Sequence, residues 1–371
     1  MISEGLTIMG AVLERSKAEY PFSRSRPLNI SSLHLDPPGD REVLVRIEVA
    51  GICHSDLSVV NGSRVRPLPM LLGHEAAGIV EQRGRGVDDL AVGTRVVLTF
   101  LPRCGNCVAC DTHGRAPCLP GSEANGAGTL LSGKIRISRN GLPVHHHLGI
   151  SAFATHAVVS RNSVVAVDIG VPPEVAALLG CAVLTGGGAI LNAAELLPTQ
   201  SLAVIGLGGV GMAALMVGLG VGSHEVTVID SQQRKINSAL SLGATRGFAP
   251  ADIPDGFRAD VVIEAAGKVS AFEAGLRMTA PGGKLVTVGL PDPAERASLS
   301  PLDLVATGKT IMGSYLGSSV PADDIPRYIG MWRDGLLPLE NLVSSEVDLK
   351  DINEAMDVLS EGKSIRQIIR F

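Results

Sequence analysis

Four of the six cysteines fall within fifteen residues, as Cys104-x2-Cys107-x2-Cys110-x7-Cys118, while Cys53 and Cys181 stand far off on either side. A loop whose thiols recur every third residue can wrap one tetrahedral zinc ion by itself, giving a closed site that stabilises structure and leaves no position for a substrate. The division into four and two suggests two metal sites with different jobs. A disulfide cluster is the competing reading. Met1 to Gly10, however, lacks the basic region, apolar run and small-residue cleavage site of an export signal. In a reducing compartment clustered cysteines serve metals more often than disulfides. Zinc at Cys104, Cys107, Cys110 and Cys118 and a cytoplasmic location are therefore expected.

With 371 residues, 45% hydrophobic and 19% charged, the chain is long enough for two domains with sizeable cores. A net charge of −5 without blocks of like charge argues against nucleic acid as a partner. The 44 glycines against 3% aromatics suit an α/β protein with tight turns near a cofactor. One stretch could pass for a membrane span, since Leu202 to Gly222 holds 21 residues without a charge. Seven of them are glycines, each costing about 1 kcal/mol in a helix interior, so a strand, a turn and a helix fit better than one continuous helix. No membrane partner is expected.

Within that stretch Ser201 to Ile205 reads as a strand and Gly206-Leu207-Gly208-Gly209-Val210-Gly211 as a G-x-G-x-x-G turn opening a buried helix at Met212. The first glycine makes the tight turn, the second admits a pyrophosphate to the backbone, and the third lets helix and strand pack closely. The phosphates belong at the helix N-terminus. A second strand, Glu225 to Ile229, ends at Asp230, 24 residues past Gly206, near the spacing at which an acid accepts hydrogen bonds from the adenosine ribose. A carboxylate there repels a 2′-phosphate, so NAD is preferred to NADP. Arg234 and Lys235 soften that preference, being basic residues able to meet a 2′-phosphate or touch the ribose. Further βα units are read at Asp260 to Glu264 and at Lys284 to Gly289. The fold class is thus α/β, with a doubly wound parallel sheet as the coenzyme domain.

Cys53 sits in Gly51-Ile52-Cys53-His54-Ser55-Asp56, and Gly73-His74-Glu75 follows 21 residues later. These segments, the four-cysteine loop, the glycine turn and the distant Cys181 together resemble the zinc-dependent medium-chain alcohol dehydrogenases from about Val43 to Phe371. Pro143-Val144-His145-His146-His147-Leu148-Gly149 resembles the longer, typically dimeric branch. The resemblance implies two zinc ions per chain, with Cys53, His74 and Cys181 as ligands of a catalytic one whose fourth position stays open. It implies Glu75 as a carboxylate near the metal, Asp56 as the partner that orients the ligand histidine, and Ser55 as the hydroxyl that meets the substrate alcohol. His54, Thr185 and Arg366 become cofactor contacts beside Gly206, Gly208, Gly209, Val210, Gly211, Asp230 and Lys235, with His54 and Arg366 on the pyrophosphate. Phe100, Leu148, Tyr315 and Leu316 are implied around an apolar or aromatic primary or secondary alcohol.

The same resemblance implies a discontinuous catalytic domain, with a partly closed, GroES-like β-barrel, over 1–183 and 316–371. A Rossmann domain fills 184–315, and substrate meets nicotinamide in the cleft between them. A homodimer joined near Lys309 to Tyr315 is expected. The chain departs from the family at Ser58, where relatives often carry the histidine that ends the proton relay, and a solvent chain or another base is expected to substitute. Oxidation of a thiol adduct of formaldehyde is the enzymatic alternative. The glutathione-dependent members carry an acid eleven positions after the first zinc cysteine, where this chain has Arg64. Reduction of an activated C=C or C=N bond is a third activity of such a hydride site. A non-catalytic scaffold or a metal store leaves either the open ligand set or the glycine turn unexplained. Adjacent histidines on a strand point to opposite faces, so the triple histidine is not expected to form a third metal site. Met1 to Asn29, Asn125 to Arg139 and Pro291 to Ser300 are read as a strand-bearing leader and two surface loops.

Overall fold

A computed structural model describes residues 5–371, so the first four residues of the leader lie outside the described residues. The chain divides into two compact units. One comprises the residues up to Thr112, Ala116–Cys181 and Val343–Phe371; the other comprises His113–Arg115 and Ala182–Leu342. The return to the first unit thus falls at Val343, whereas the sequence placed it at 316.

In the first unit five strands close a barrel: Leu6–Leu13, Leu28–Leu35, Ile137–Arg139, Leu142–His146 and Met70–Leu71. Its interior is filled by Ile8, Val12, Leu33, Leu35, Leu71, Leu130, Ile137 and Val144. This corrects the reading of Asn125 to Arg139 as a surface loop. Leu130 is fully buried and Ile137 is 3% exposed, and two apolar residues so far apart give no periodic signal to mark them as core. Pro291 to Ser300 does run over the surface. Beside the barrel lies a seven-stranded sheet whose path includes Arg95–Leu98, Glu75–Arg83, Glu42–Ile52, Arg366–Arg370 and Val343–Val347 in that order.

The second unit is a six-stranded parallel sheet. Its strand order is Arg246–Phe248, Val226–Ile229, Leu202–Ile205, Ala259–Glu264, Thr279–Thr287, Thr310–Gly313. Leu202–Ile205 and Val226–Ile229 are buried along their whole length, as strands of a parallel sheet covered on both faces are. The glycine-rich stretch from Leu202 is a strand followed by the helix Gly209–Val221. Among the described residues the long apolar helix is instead Pro173–Ala194, 22 residues and 83% buried over its most apolar window, which fits a core helix. It is not regular throughout, because Leu179–Val183 and Ala189–Ala194 are π-helical turns.

Candidate metal and nucleotide sites

Pairing register brings the candidate metal-binding side chains together. Gly51 pairs with Glu75 across the antiparallel strands, and Ile52 pairs with Gln367 on the other side. Cys53, His74 and Arg366, each one residue away, therefore meet at one end of the sheet. A side chain on Gly51 would come within 2.2 Å of Glu75 Oε1, so this glycine makes room for the buried carboxylate. Cys181 arrives from the helix. A side chain on Gly180 would meet the Leu98 carbonyl at 2.2 Å, so glycine lets the helix lie directly on the strand that pairs Leu98 with Ala76. Cys181 occupies a π-helical turn, a distortion frequent at functional sites.

The ligand atoms of Cys53, His74 and Cys181 lie within 4.8 Å of one another, and all three residues are buried. Cys181 Sγ stands 3.6 Å from His74 Nε2. A tetrahedral zinc with ordinary bond lengths sets sulfur and nitrogen about 3.6 Å apart, so the donor set fits that ion. The Cys53 thiol is held well below its ordinary range, first by its hydrogen bond with Cys181, against burial, and further by Arg366 and His74. The same contact raises Cys181. Such a pair shares one proton, which a metal displaces on binding.

Behind these three side chains stands Asp56, fully buried in the short helix His54–Val60. Its Oδ2 accepts the Cys53 amide at 3.1 Å, closing a reciprocal cap at the helix start. Its Oδ1 accepts the Gly73 amide at 3.1 Å and His74 Nδ1 at 3.1 Å. That bond fixes the His74 tautomer and leaves Nε2 for a metal. His147 Nδ1 also stands 3.1 Å from Oδ1, meeting it obliquely rather than along an ideal hydrogen-bond line. Burial opposes charge on Asp56, yet His74 and His147 outweigh it and hold the carboxyl at about 2. Asp56, His74 and His147 also lie close enough to hold an ion, but His74 belongs to both sets.

Burial pushes Glu75 up to about 7, although Arg366 pulls the other way. Arg366 Nε lies 3.3 Å from Glu75 Oε1 and its Nη1 donates to the Ile52 carbonyl at 3.0 Å. Expected on a pyrophosphate, this guanidinium is 3% exposed and stands beside the metal ligands. Phe100 packs edge-on to the His74 ring at 5.6 Å, and Leu148 is 5% exposed. Ser55 is half-buried and His54 exposed. Ser58 donates its hydroxyl to the Ser55 carbonyl at 2.8 Å, which engages its proton within the helix.

In the four-cysteine loop all thiols are free, with Cys107 and Cys110 sulfurs 3.6 Å apart and those of Cys104 and Cys110 3.9 Å apart. A disulfide needs about 2.05 Å, whereas a tetrahedral zinc sets its sulfurs about 3.8 Å apart. A hydrogen bond with the backbone at Leu119 brings Cys107 down to about 6, and burial pushes Cys118 up to about 12.

In the second unit Gly206 has a φ of +89° and its missing side chain would sit 2.6 Å from the Ala266 amide. A side chain on Gly211 would come 1.7 Å from the Gly206 carbonyl, so helix and strand touch through bare backbone. Gly208 faces open space, a cradle that a Cβ would fill. Gly209 and Val210 begin the helix. Asp230 ends its strand with Oδ2 accepting the Leu207 amide at 2.6 Å and Oδ1 accepting the Gln232 amide at 2.8 Å. The carboxylate is thus tied to the glycine turn, and each oxygen keeps a further lone pair. Lys235 is 7% exposed, its pKa lowered by burial against the attraction of Asp230. Thr185 and Leu316 are buried, and Tyr315 is 37% exposed.

The contact that sequence reasoning missed is that of His147 with Asp56. The strand Leu142–His146 stops one residue short of it, so strand alternation does not reach the ring.

Two families match the chain: the alcohol dehydrogenase GroES-like domain over residues 39–169 and the zinc-binding dehydrogenase over 209–332. An alcohol dehydrogenase zinc-binding domain protein from Burkholderia ambifaria superposes with a TM-score of 0.91 at 30% identity, covering 99% of this chain and 100% of its own. Benzyl alcohol dehydrogenase from Acinetobacter calcoaceticus gives 0.90 at 30% identity, with 99% of each chain covered. Acetophenone reductase from Geotrichum candidum, in complex with NAD, gives 0.80 at 25% identity over 98% of this chain and 97% of that one.

Proposed function

The chain belongs to the zinc-dependent medium-chain alcohol dehydrogenases, and on that premise we propose that it interconverts an apolar or aromatic primary or secondary alcohol with its aldehyde or ketone, using zinc and NAD. The observation that carries this reading is the convergence of Cys53, His74 and Cys181 within 4.8 Å, all three buried, a three-donor set of the kind open catalytic zinc sites use.

Cys53, His74 and Cys181 hold the zinc. Cys104, Cys107, Cys110 and Cys118 hold a second, structural one. A zinc held by Cys53, His74 and Cys181 would supply a Lewis acid for negative charge on the substrate oxygen, and bound NAD would supply the hydride acceptor. Asp56 keeps the His74 ring in place. Ser55 accepts a hydrogen bond from the alcohol hydroxyl and, as that proton arrives, releases its own to solvent. Ser58 does not pass it on, because its own proton is committed to the Ser55 carbonyl and a serine hydroxyl cannot store a proton near neutral pH as an imidazole can. Glu75 is the carboxylate held in reserve beside the ligands, with Arg366 balancing its charge.

Phe100 and Leu148 supply apolar wall near the ligand set, and both are buried carbon surface without a polar tip to recognise a sugar. The open backbone at Gly208 receives the pyrophosphate, with Thr185, Gly206, Gly209, Val210, Gly211 and Lys235 around the coenzyme. Asp230 accepts the ribose hydroxyls, and its charge disfavours a 2′-phosphate. A preference for NAD over NADP of tenfold or more is expected, corresponding to about 1.4 kcal/mol or more. The NAD complex of the acetophenone reductase relative supports the same coenzyme. The strand Thr310–Gly313 lies at an edge of its sheet with unpaired backbone groups, which supports a homodimer joined there.

The test is NADH formation by purified protein with a panel of aliphatic, benzylic and secondary alcohols, repeated with formaldehyde plus a low-molecular-weight thiol. Turnover of benzylic and secondary alcohols, faster with NAD than with NADP, is the expected result. Turnover only in the presence of the thiol adduct would replace this reading with formaldehyde-adduct oxidation.

A further inference from the structure

We propose that His147 is a positioning residue of the Cys53–His74–Cys181 site, pressing its Nδ1–H against Asp56 so that two imidazoles brace the one carboxylate that orients the ligand His74. The proposal deepens the reading of that trio as zinc ligands and rests on it. His147 Nδ1 and His74 Nδ1 stand at the same distance, 3.1 Å, from the same oxygen of Asp56. The two rings are perpendicular, at 88°, with centroids 5.3 Å apart. All three side chains are no more than 1% exposed. Burying an imidazole costs free energy unless a polar partner meets it, and the nearest charge here is the carboxylate, which His147 Nδ1 approaches to 3.1 Å off the ideal hydrogen-bond line.

The backbone that delivers His147 is held rigidly. The His147 amide donates to Ser151 Oγ at 2.9 Å, and the same hydroxyl donates to the Leu71 carbonyl at 2.8 Å. The Ala152 amide donates to the Gly73 carbonyl at 3.0 Å. Leu148 and Ser151 take left-handed φ values of +51° and +58°, conformations that non-glycine residues keep only where their surroundings over-determine them. This turn is therefore docked onto Leu71–Gly73, the segment that leads into His74. Asp56 is gripped from the Cys53 side by one amide, from the strand side by another, and from the turn by His147. A carboxylate fixed on three sides cannot swing away and let the His74 ring rotate.

The test uses full-length, zinc-loaded protein and two variants. His147→Phe keeps a ring and removes the donor. His147→Asn is smaller but places an amide N–H where Nδ1–H stands. Zinc release to a chelator is followed with a metal-sensitive dye, after the metal content of the wild type has been counted. Loss of a ligand-orienting partner commonly costs 10–100-fold in metal affinity. His147→Phe should release one of its two zinc ions faster by about that factor, with His147→Asn close to wild type. Equal release from wild type and His147→Phe, or equally fast release from both variants, would overturn the proposal. If His147→Phe does not fold, nitrogen-15 NMR of labelled histidine in the wild type decides. A protected Nδ1–H on His147 is expected, and an imidazole protonated only at Nε2 would contradict it. Wild-type protein that holds one zinc per chain, in the four-cysteine loop, would instead remove the metal-site reading itself.

Discussion

The two cysteine-bearing clusters of the first unit solve the same coordination problem in opposite ways. Cys104, Cys107, Cys110 and Cys118 come from one loop, three of them partly exposed, with no regular strand contributing. Cys53, His74 and Cys181 come from a helix start, the residue before a strand and a π-helical turn, and all are buried. A loop that carries its own four donors is complete by itself and needs the fold only as an anchor. A set drawn from three elements exists only after the sheet has formed, and its three donors leave a tetrahedral metal one position short. The first arrangement suits stability and the second suits chemistry.

Removing one ligand from each cluster should separate those roles. Cys53→Ala should abolish alcohol oxidation by about a thousandfold or more, because the Lewis acid is worth several kcal/mol of transition-state stabilisation. The variant should keep one zinc per chain and a thermal midpoint near that of the wild type. Substantial unfolding of Cys53→Ala would break the comparison, since the buried set would then be structural too.

Cys107→Ser should reverse the pattern. A closed zinc site contributes folding energy directly, and loss of about 3 kcal/mol lowers the midpoint of a domain of this size by roughly 10 °C. Protein that remains folded should still oxidise alcohols. Calorimetry with metal analysis measures both quantities on one sample. An unchanged midpoint after loss of that zinc would show that the loop stabilises nothing.

A smaller change sharpens the contrast. Arg103 Nη2 donates to the Cys110 carbonyl at 2.6 Å, and the Arg103 carbonyl accepts from Asn162 at 2.8 Å. These bonds tie the loop to the rest of its unit. Arg103→Ala removes the first and should cost about 1 kcal/mol. That loss should appear as a several-fold faster release of the loop zinc, with the zinc at Cys53 released as before.

The loop and the glycine turn were legible in the sequence because each is a local device. Their spacing is the geometry, and neighbouring residues carry all of it. The dispersed set was legible only through resemblance to a family, since nothing in the order of residues says that Gly51 will pair with Glu75 or that Gly180 will let a helix lie on Leu98. The place of Asp56 beside the ligand histidine came from the same source. His147 escaped because its contact depends on a turn with two left-handed residues just past a strand end, where alternation no longer predicts direction. The contact of Arg366 with Glu75 was not legible either. The arginine's strand pairs beside Ile52, and that long-range register has no sequence signature. Leu130 and Ile137 read as loop because a barrel can recruit isolated apolar residues that no period connects.

One cluster is expected to hold an exchangeable, catalytic zinc and the other a structural zinc. The most direct measurement follows zinc content, NAD-dependent alcohol oxidation and thermal midpoint together while a chelator strips the purified protein. Two zinc ions per chain are expected, a first one leaving in step with activity while the midpoint holds, and a second leaving with collapse of the midpoint. A single zinc per chain, or activity that persists until the second ion is lost, would contradict it.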